Sequence, residues 1–126
     1  MDDLQIKETQ KTPRIIFRKT GEFRISGNSF LENAEEFYEP IIQWLENYTL
    51  SPAEKTIMHF EFNYYNTTSQ LWIYRILENL ADLKKIGKDV EINWYYEEEE
   101  IQEAGIDLAN LLNLEVNFIY KETDNK

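Results

Sequence analysis

Two hydrophobic periods alternate along this chain, and their order constrains the fold more tightly than composition does. In Thr56-Ile57-Met58-His59-Phe60-Glu61-Phe62-Asn63-Tyr64-Tyr65, the residues Met58, Phe60, Phe62 and Tyr64 recur at every second position. That is the period of a strand with one buried face. Trp72, Ile73, Ile76, Leu77, Leu80 and Leu83 then follow at three- and four-residue steps, the period of a helix. Lys84-Lys85 and Gly87 mark its end. Val90, Ile92, Trp94 and Tyr96 return to period two, Ile101, Ala104, Leu108, Leu111 and Leu112 form a further helical stripe, and Val116, Phe118 and Tyr120 close with a strand. A strand that reaches its neighbour through a helix runs parallel to it, with a right-handed crossover.

The first half of the chain leads into this pattern. Arg14-Ile15-Ile16-Phe17-Arg18-Lys19 and Glu22-Phe23-Arg24-Ile25-Ser26 are β-prone runs separated by Thr20-Gly21, the spacing of a tight hairpin. Ala34, Phe37, Tyr38, Ile41, Leu45 and Tyr48 form an apolar helical stripe. Two cap patterns compete for its start, Ser29 with Glu32 and Asn33 with Glu36. Pro40 within the stripe predicts a kink or the start of a second helical piece. The expected fold class is α/β with a mixed, mostly parallel sheet in the order β-β-α-β-α-β-α-β. Residues 1–12 read as a flexible N-terminal arm, 13–120 as a single domain and 121–126 as a flexible tail.

With 126 residues the chain is long enough for one core. Twenty-four acidic against 13 basic residues give a formal charge of -11, which repels phosphate backbones and anionic headgroups, so no nucleic-acid or membrane partner is expected. The absence of cysteine excludes disulfides, thiolate zinc sites and a cysteine nucleophile. No apolar run behind Met1 resembles a leader and none approaches the ~20 residues of a membrane span, so a cytoplasmic location is expected.

Chemistry in open sheets of this kind collects at the carboxyl ends of the parallel strands. Two loops fall there. Asn66-Thr67-Thr68-Ser69 places three consecutive hydroxyls before a helix. One of these side chains suffices as an N-cap, worth about 1 kcal/mol. A phosphate on another would sit at the positive end of the helix dipole. Glu97-Glu98-Glu99-Glu100 precedes the next helix and complements its dipole, whereas a divalent metal needs oxygens that converge, and successive helical residues fan out. No catalytic residue, metal site or cofactor is expected. His59 is the single histidine and reads as structural, no phosphate-binding glycine motif occurs among Gly21, Gly27, Gly87 and Gly105, and the pairs Tyr64-Tyr65 and Tyr95-Tyr96 read as packing residues.

Thr12-Pro13-x-Ile15, Gly27-Asn28-Ser29 with Glu32-Asn33, Phe37-Tyr38 with Pro40-Ile41 and Trp44-Leu45, and Tyr65-Asn66-Thr67-Thr68-Ser69 together resemble the SiaC-type regulatory phosphoproteins of bacteria. The resemblance implies a fold similar to the STAS-like anti-sigma-factor antagonists. It further implies a non-enzymatic switch, in which a serine/threonine protein kinase phosphorylates a threonine, a PPM-type phosphatase removes the phosphate, and the unmodified form binds a diguanylate cyclase and promotes cyclic di-GMP synthesis. By the family pattern the phosphoacceptor is Thr67, with Thr68 and Ser69 as rivals, Thr68 because threonine stands there where serine is usual. Asn66, Thr68, Ser69, Gln70 and Tyr74 are the expected partner-binding residues. Alternatives are an anti-sigma-factor-antagonist-like partner switch and a small metal-dependent hydrolase using Glu97 to Glu100.

Overall fold

The tight turn at Thr20-Gly21 sets the first half of the architecture. Gly21 has φ +106°, and a Cβ there would meet the Lys55 carbonyl oxygen at 2.2 Å, so only glycine fits. Around it, in a computed structural model that describes residues 1–122, the elements run β1 (Leu4–Ile6), β2 (Arg14–Phe17), β3 (Glu22–Ser29), α1 (Ala34–Leu50), β4 (Lys55–Tyr65), α2 (Thr67–Lys85), β5 (Asp89–Tyr96), α3 (Glu99–Leu112) and β6 (Asn117–Tyr120). The strands lie in one sheet in sequence order. β1, β2 and β3 pair antiparallel, and β3 to β6 pair parallel. The mixed α/β sheet is therefore the one that the periodicities predict, with one additional edge strand.

Each crossover steps one place in the same direction. Right-handed connections then put all three helices on a single face, where α1 packs on α2 and α2 on α3. The core lies between, with Phe23, Ile25, Met58, Phe60 and Trp94 from the sheet against Tyr38, Ile41, Leu45, Ile73 and Leu80 from the helices, all essentially inaccessible. Gly105 allows α3 to lie directly on the indole of Trp94, since a Cβ there would come within 2.6 Å of the ring. The Trp94 indole N–H donates to the Ile101 carbonyl at 2.9 Å. The opposite face of the sheet carries Arg24 paired with Glu61, and Glu61 also binds Lys121 at 3.1 Å.

Three expectations change. The stretch read as a loose arm contains β1, because Leu4 and Ile6 are half-buried against the core and the Trp44 indole N–H donates to the Asp2 carbonyl at 2.8 Å. Pro40 does not split α1 into two elements. It lies on the exposed side of one continuous helix, where its missing N–H opens no buried gap. At the other end, Lys121 is held by its amide to the Tyr96 carbonyl at 2.7 Å, and the expectation of a flexible tail for 123–126 lies outside the described residues. Of the two cap patterns, Asn33 is the N-cap of α1 and accepts from the Glu36 amide at 3.4 Å, while Ser29 is buried at the end of β3.

Candidate functional site

Because β3, β4 and β5 are parallel, Ser29, Tyr65 and Tyr96 end at the same edge of the sheet, and α1, α2 and α3 all begin there. The Asn66 amide donates to the Ser29 carbonyl at 3.0 Å, which docks the first residue beyond β4 onto the end of β3. Asn66 takes the N-cap position of α2, yet its side chain caps no backbone N–H. Its Nδ2 donates to the Leu31 carbonyl at 2.9 Å, and its Oδ1 receives the Ser69 hydroxyl at 2.8 Å, with Thr68 Oγ1 3.0 Å away. The capping reading thus gives way to a side chain that ties the α2 start to the loop after β3.

Successive helical residues point about 100° apart, so the three adjacent hydroxyls meet three environments. Ser69 is fully buried, with its Oγ 2.8 Å from Ser29 Oγ and 3.2 Å from the Ser29 carbonyl. Ser29 Oγ in turn lies 2.6 Å from Tyr38 Oη. A hydroxyl has one proton to give. The direction Tyr38 to Ser29 to Ser69 to Asn66 Oδ1 supplies every proton of this chain with an acceptor. Burial pushes the Tyr38 hydroxyl up to about 12, with the Ser29 and Ser69 hydrogen bonds opposing part of the rise. Thr68 is exposed, but its hydroxyl donates to the Leu31 carbonyl at 2.6 Å. Thr67 is exposed and its hydroxyl makes no hydrogen bond among the described residues.

Ser69 therefore cannot be a partner-contacting residue, nor an acceptor within reach of another protein, because it is sealed beneath the helix it starts. Gln70 is exposed and Tyr74 half-buried on the same helix. Thr67, Leu71 and Tyr74 stand four and three residues apart and share one stripe. Leu71 is half exposed, as are Phe30 and Tyr64, whose rings sit 5.9 Å apart at this edge. Periodicity missed Tyr64 as a surface residue. An extra residue in β4 opposite Gly27/Asn28 shifts the register there, pairing Gly27 with Phe62 but Asn28 with Tyr64. One inserted residue reverses the alternation, so Tyr65 turns inward against Phe62 and Trp94 while Tyr64 faces water.

Glu35 and Glu36 occupy the first turn of α1 and Glu99 and Glu100 that of α3, whereas the first turn of α2 has no acidic residue. The uncharged, positively polarised start of α2 thus lies between two acidic helix starts. Among the described residues no group of three or more His, Asp or Glu is gathered to hold a metal ion. His59 projects from the other face of the sheet, where its Nδ1 lies 3.1 Å from Tyr95 Oη, and burial and then the Arg24 charge lower its pKa. No helix among the described residues is long and apolar enough to cross a membrane.

A family model described as SiaC family regulatory phosphoprotein matches residues 6–121. An uncharacterized protein of Pseudomonas aeruginosa is 30% identical over 98 residues, covering 77% of this chain and 78% of its own. Apo-SiaC from Pseudomonas aeruginosa has the same fold, with a TM-score of 0.84 at 25% identity over 97% of this chain and 100% of that one. A chain in the crystal structure of diguanylate cyclase SiaD in complex with its activator SiaC, also from Pseudomonas aeruginosa, matches with a TM-score of 0.83 at 24% identity over 94% of this chain and 100% of that chain.

Proposed function

Because this chain belongs to the SiaC family of regulatory phosphoproteins, we propose that it is a non-enzymatic cytoplasmic switch whose charge toggle is the Thr67 hydroxyl. The observation that carries this reading is that Thr67, alone of three consecutive hydroxyls, is both exposed and without a hydrogen bond among the described residues. A serine/threonine kinase can reach it without unfolding α2, and a PPM-type phosphatase can reach the phosphothreonine in the same way. The output partner is a diguanylate cyclase, as SiaD is for the SiaC that activates it. Unmodified protein binds the cyclase through Thr67, Gln70, Tyr74 and the exposed rings of Phe30 and Tyr64, with Asn66 and Thr68 shaping the α2 start, and so promotes cyclic di-GMP synthesis.

Phosphorylation adds about -1.5 to -2 charges at the centre of that surface. In the free protein the new charge is solvated and favoured by the helix dipole. Under a bound partner it would be desolvated between the acidic starts of α1 and α3, and an unpaired buried ion costs several kcal/mol. Driving a bound fraction from 99:1 to 1:99 takes roughly 5.5 kcal/mol of differential affinity, which is within reach of that penalty. The test is capture of partners from the protein's own cells by parent, Thr67→Ala and Thr67→Glu chains. The alanine chain should retain the cyclase and resist phosphorylation, and the glutamate chain should lose the cyclase. Equal capture by all three would place the toggle elsewhere.

A further inference from the structure

The β6 edge is built to pair with itself. Parallel pairing places Asn117 opposite Asn93 and Tyr120 opposite Tyr96, and the Lys121 amide donates inward to the Tyr96 carbonyl. By alternation, the N–H and C=O groups of Asn117 and Ile119 also face β5, and those of Phe118 and Tyr120 point away from the sheet with no strand among the described residues to receive them. Natural edges are usually protected by proline, a bulge or an inward-pointing charge. Asn117–Tyr120 contains none of these and is limited by its length of four residues instead. The helical layer also stops short of this edge, since α3 packs on β4, β5 and α2. Phe118 is consequently only half-buried on the helix side, Tyr120 is 60% and Leu111 72% exposed, and Ile119 is exposed on the opposite face.

From this edge we infer that a second copy of the chain pairs antiparallel with β6 about a two-fold axis through Phe118, joining two six-stranded sheets into one. In that register the outward groups of Phe118 meet those of the same residue in the partner copy, and Tyr120 pairs with Val116. On the bare face of the sheet Glu115 falls opposite Lys121, twice by symmetry, where the ammonium that Glu61 holds within its own chain meets a second carboxylate, so the contact joins opposite charges even though each chain carries -11 overall. The exposed apolar fringe of Leu111 and Tyr120 becomes covered across the axis.

Sedimentation velocity of the full chain across a wide concentration range tests this. The expected result is a reversible species of twice 15.2 kDa. Tyr120→Pro deletes an outward N–H that β5 does not use and should leave a folded monomer. Glu115→Lys or Lys121→Glu alone should weaken association by roughly tenfold, because two symmetric attractive pairs become repulsive, and the double exchange should restore it. A chain that stays monomeric at every concentration overturns the inference. So does a dimer that is indifferent to Tyr120→Pro and to both charge reversals, since it would use another surface.

Discussion

Three neighbouring hydroxyls should differ sharply in what their removal does to stability, and the ordering follows from where each proton goes. Ser69→Ala removes the link between the Tyr38–Ser29 pair and Asn66. One hydroxyl proton in the Tyr38–Ser29 pair then loses its acceptor in a site closed to water. A buried donor left unsatisfied costs about 1–3 kcal/mol, so about 2 kcal/mol is expected. Thr68→Ala loses one short bond to the Leu31 carbonyl at the surface, worth about 0.5–1.5 kcal/mol. Thr67→Ala loses no hydrogen bond among the described residues and gains slightly in helix propensity, so it should stay within about 0.5 kcal/mol of the parent. Urea unfolding of the three variants measures this directly. With a slope of about 2 kcal/mol/M, Ser69→Ala should lower the midpoint by roughly 1 M. If Thr67→Ala proved the most damaging of the three, Thr67 would be a structural residue and the reasoning from the hydroxyl network would be refuted.

Gly105→Ala should destabilise even though alanine is the better helix former. The propensity gain of about 1 kcal/mol is outweighed by a Cβ within 2.6 Å of the buried Trp94 indole, where overpacking costs typically 1–3 kcal/mol; thermal unfolding with a raised midpoint would contradict this. Stability should also fall as pH rises from 10 to 12, because burial pushes the hydroxyls of Tyr38 and Tyr65 up to about 12. Unfolded chains release those protons from about pH 10, so their contribution is fully present below pH 10 and is lost through the folded values. Tyr65→Phe should make that alkaline decline shallower. It should also stabilise the protein at neutral pH by about 1 kcal/mol, since the Tyr65 hydroxyl is buried with no hydrogen-bond partner among the described residues; equal pH profiles for parent and variant would exclude it.

Most of the fold is legible in the chain because period two and period 3.6 report which face of each element avoids water, and βαβ connectivity then dictates parallel strands. The missed pieces are those with too few residues to establish a period. β1 has three residues and is held by its pairing with β2 and by Trp44, forty-two positions away from the Asp2 carbonyl it binds. Tyr64 and Tyr65 exchange faces through a one-residue register shift that no alternation of hydrophobicity marks.

The run of three hydroxyls at a strand-to-helix junction is written in the primary structure, as is the sheet edge to which it must belong. Which hydroxyl is free is not. That depends on Ser29, Leu31 and Tyr38, brought in from β3, the loop after it and α1, whose oxygens occupy Ser69 and Thr68 and leave Thr67 in solvent. Hydrogen-bond partners thirty-five or forty residues apart leave no local trace, because the distance over which a hydroxyl acts is set by the packed chain rather than by its order.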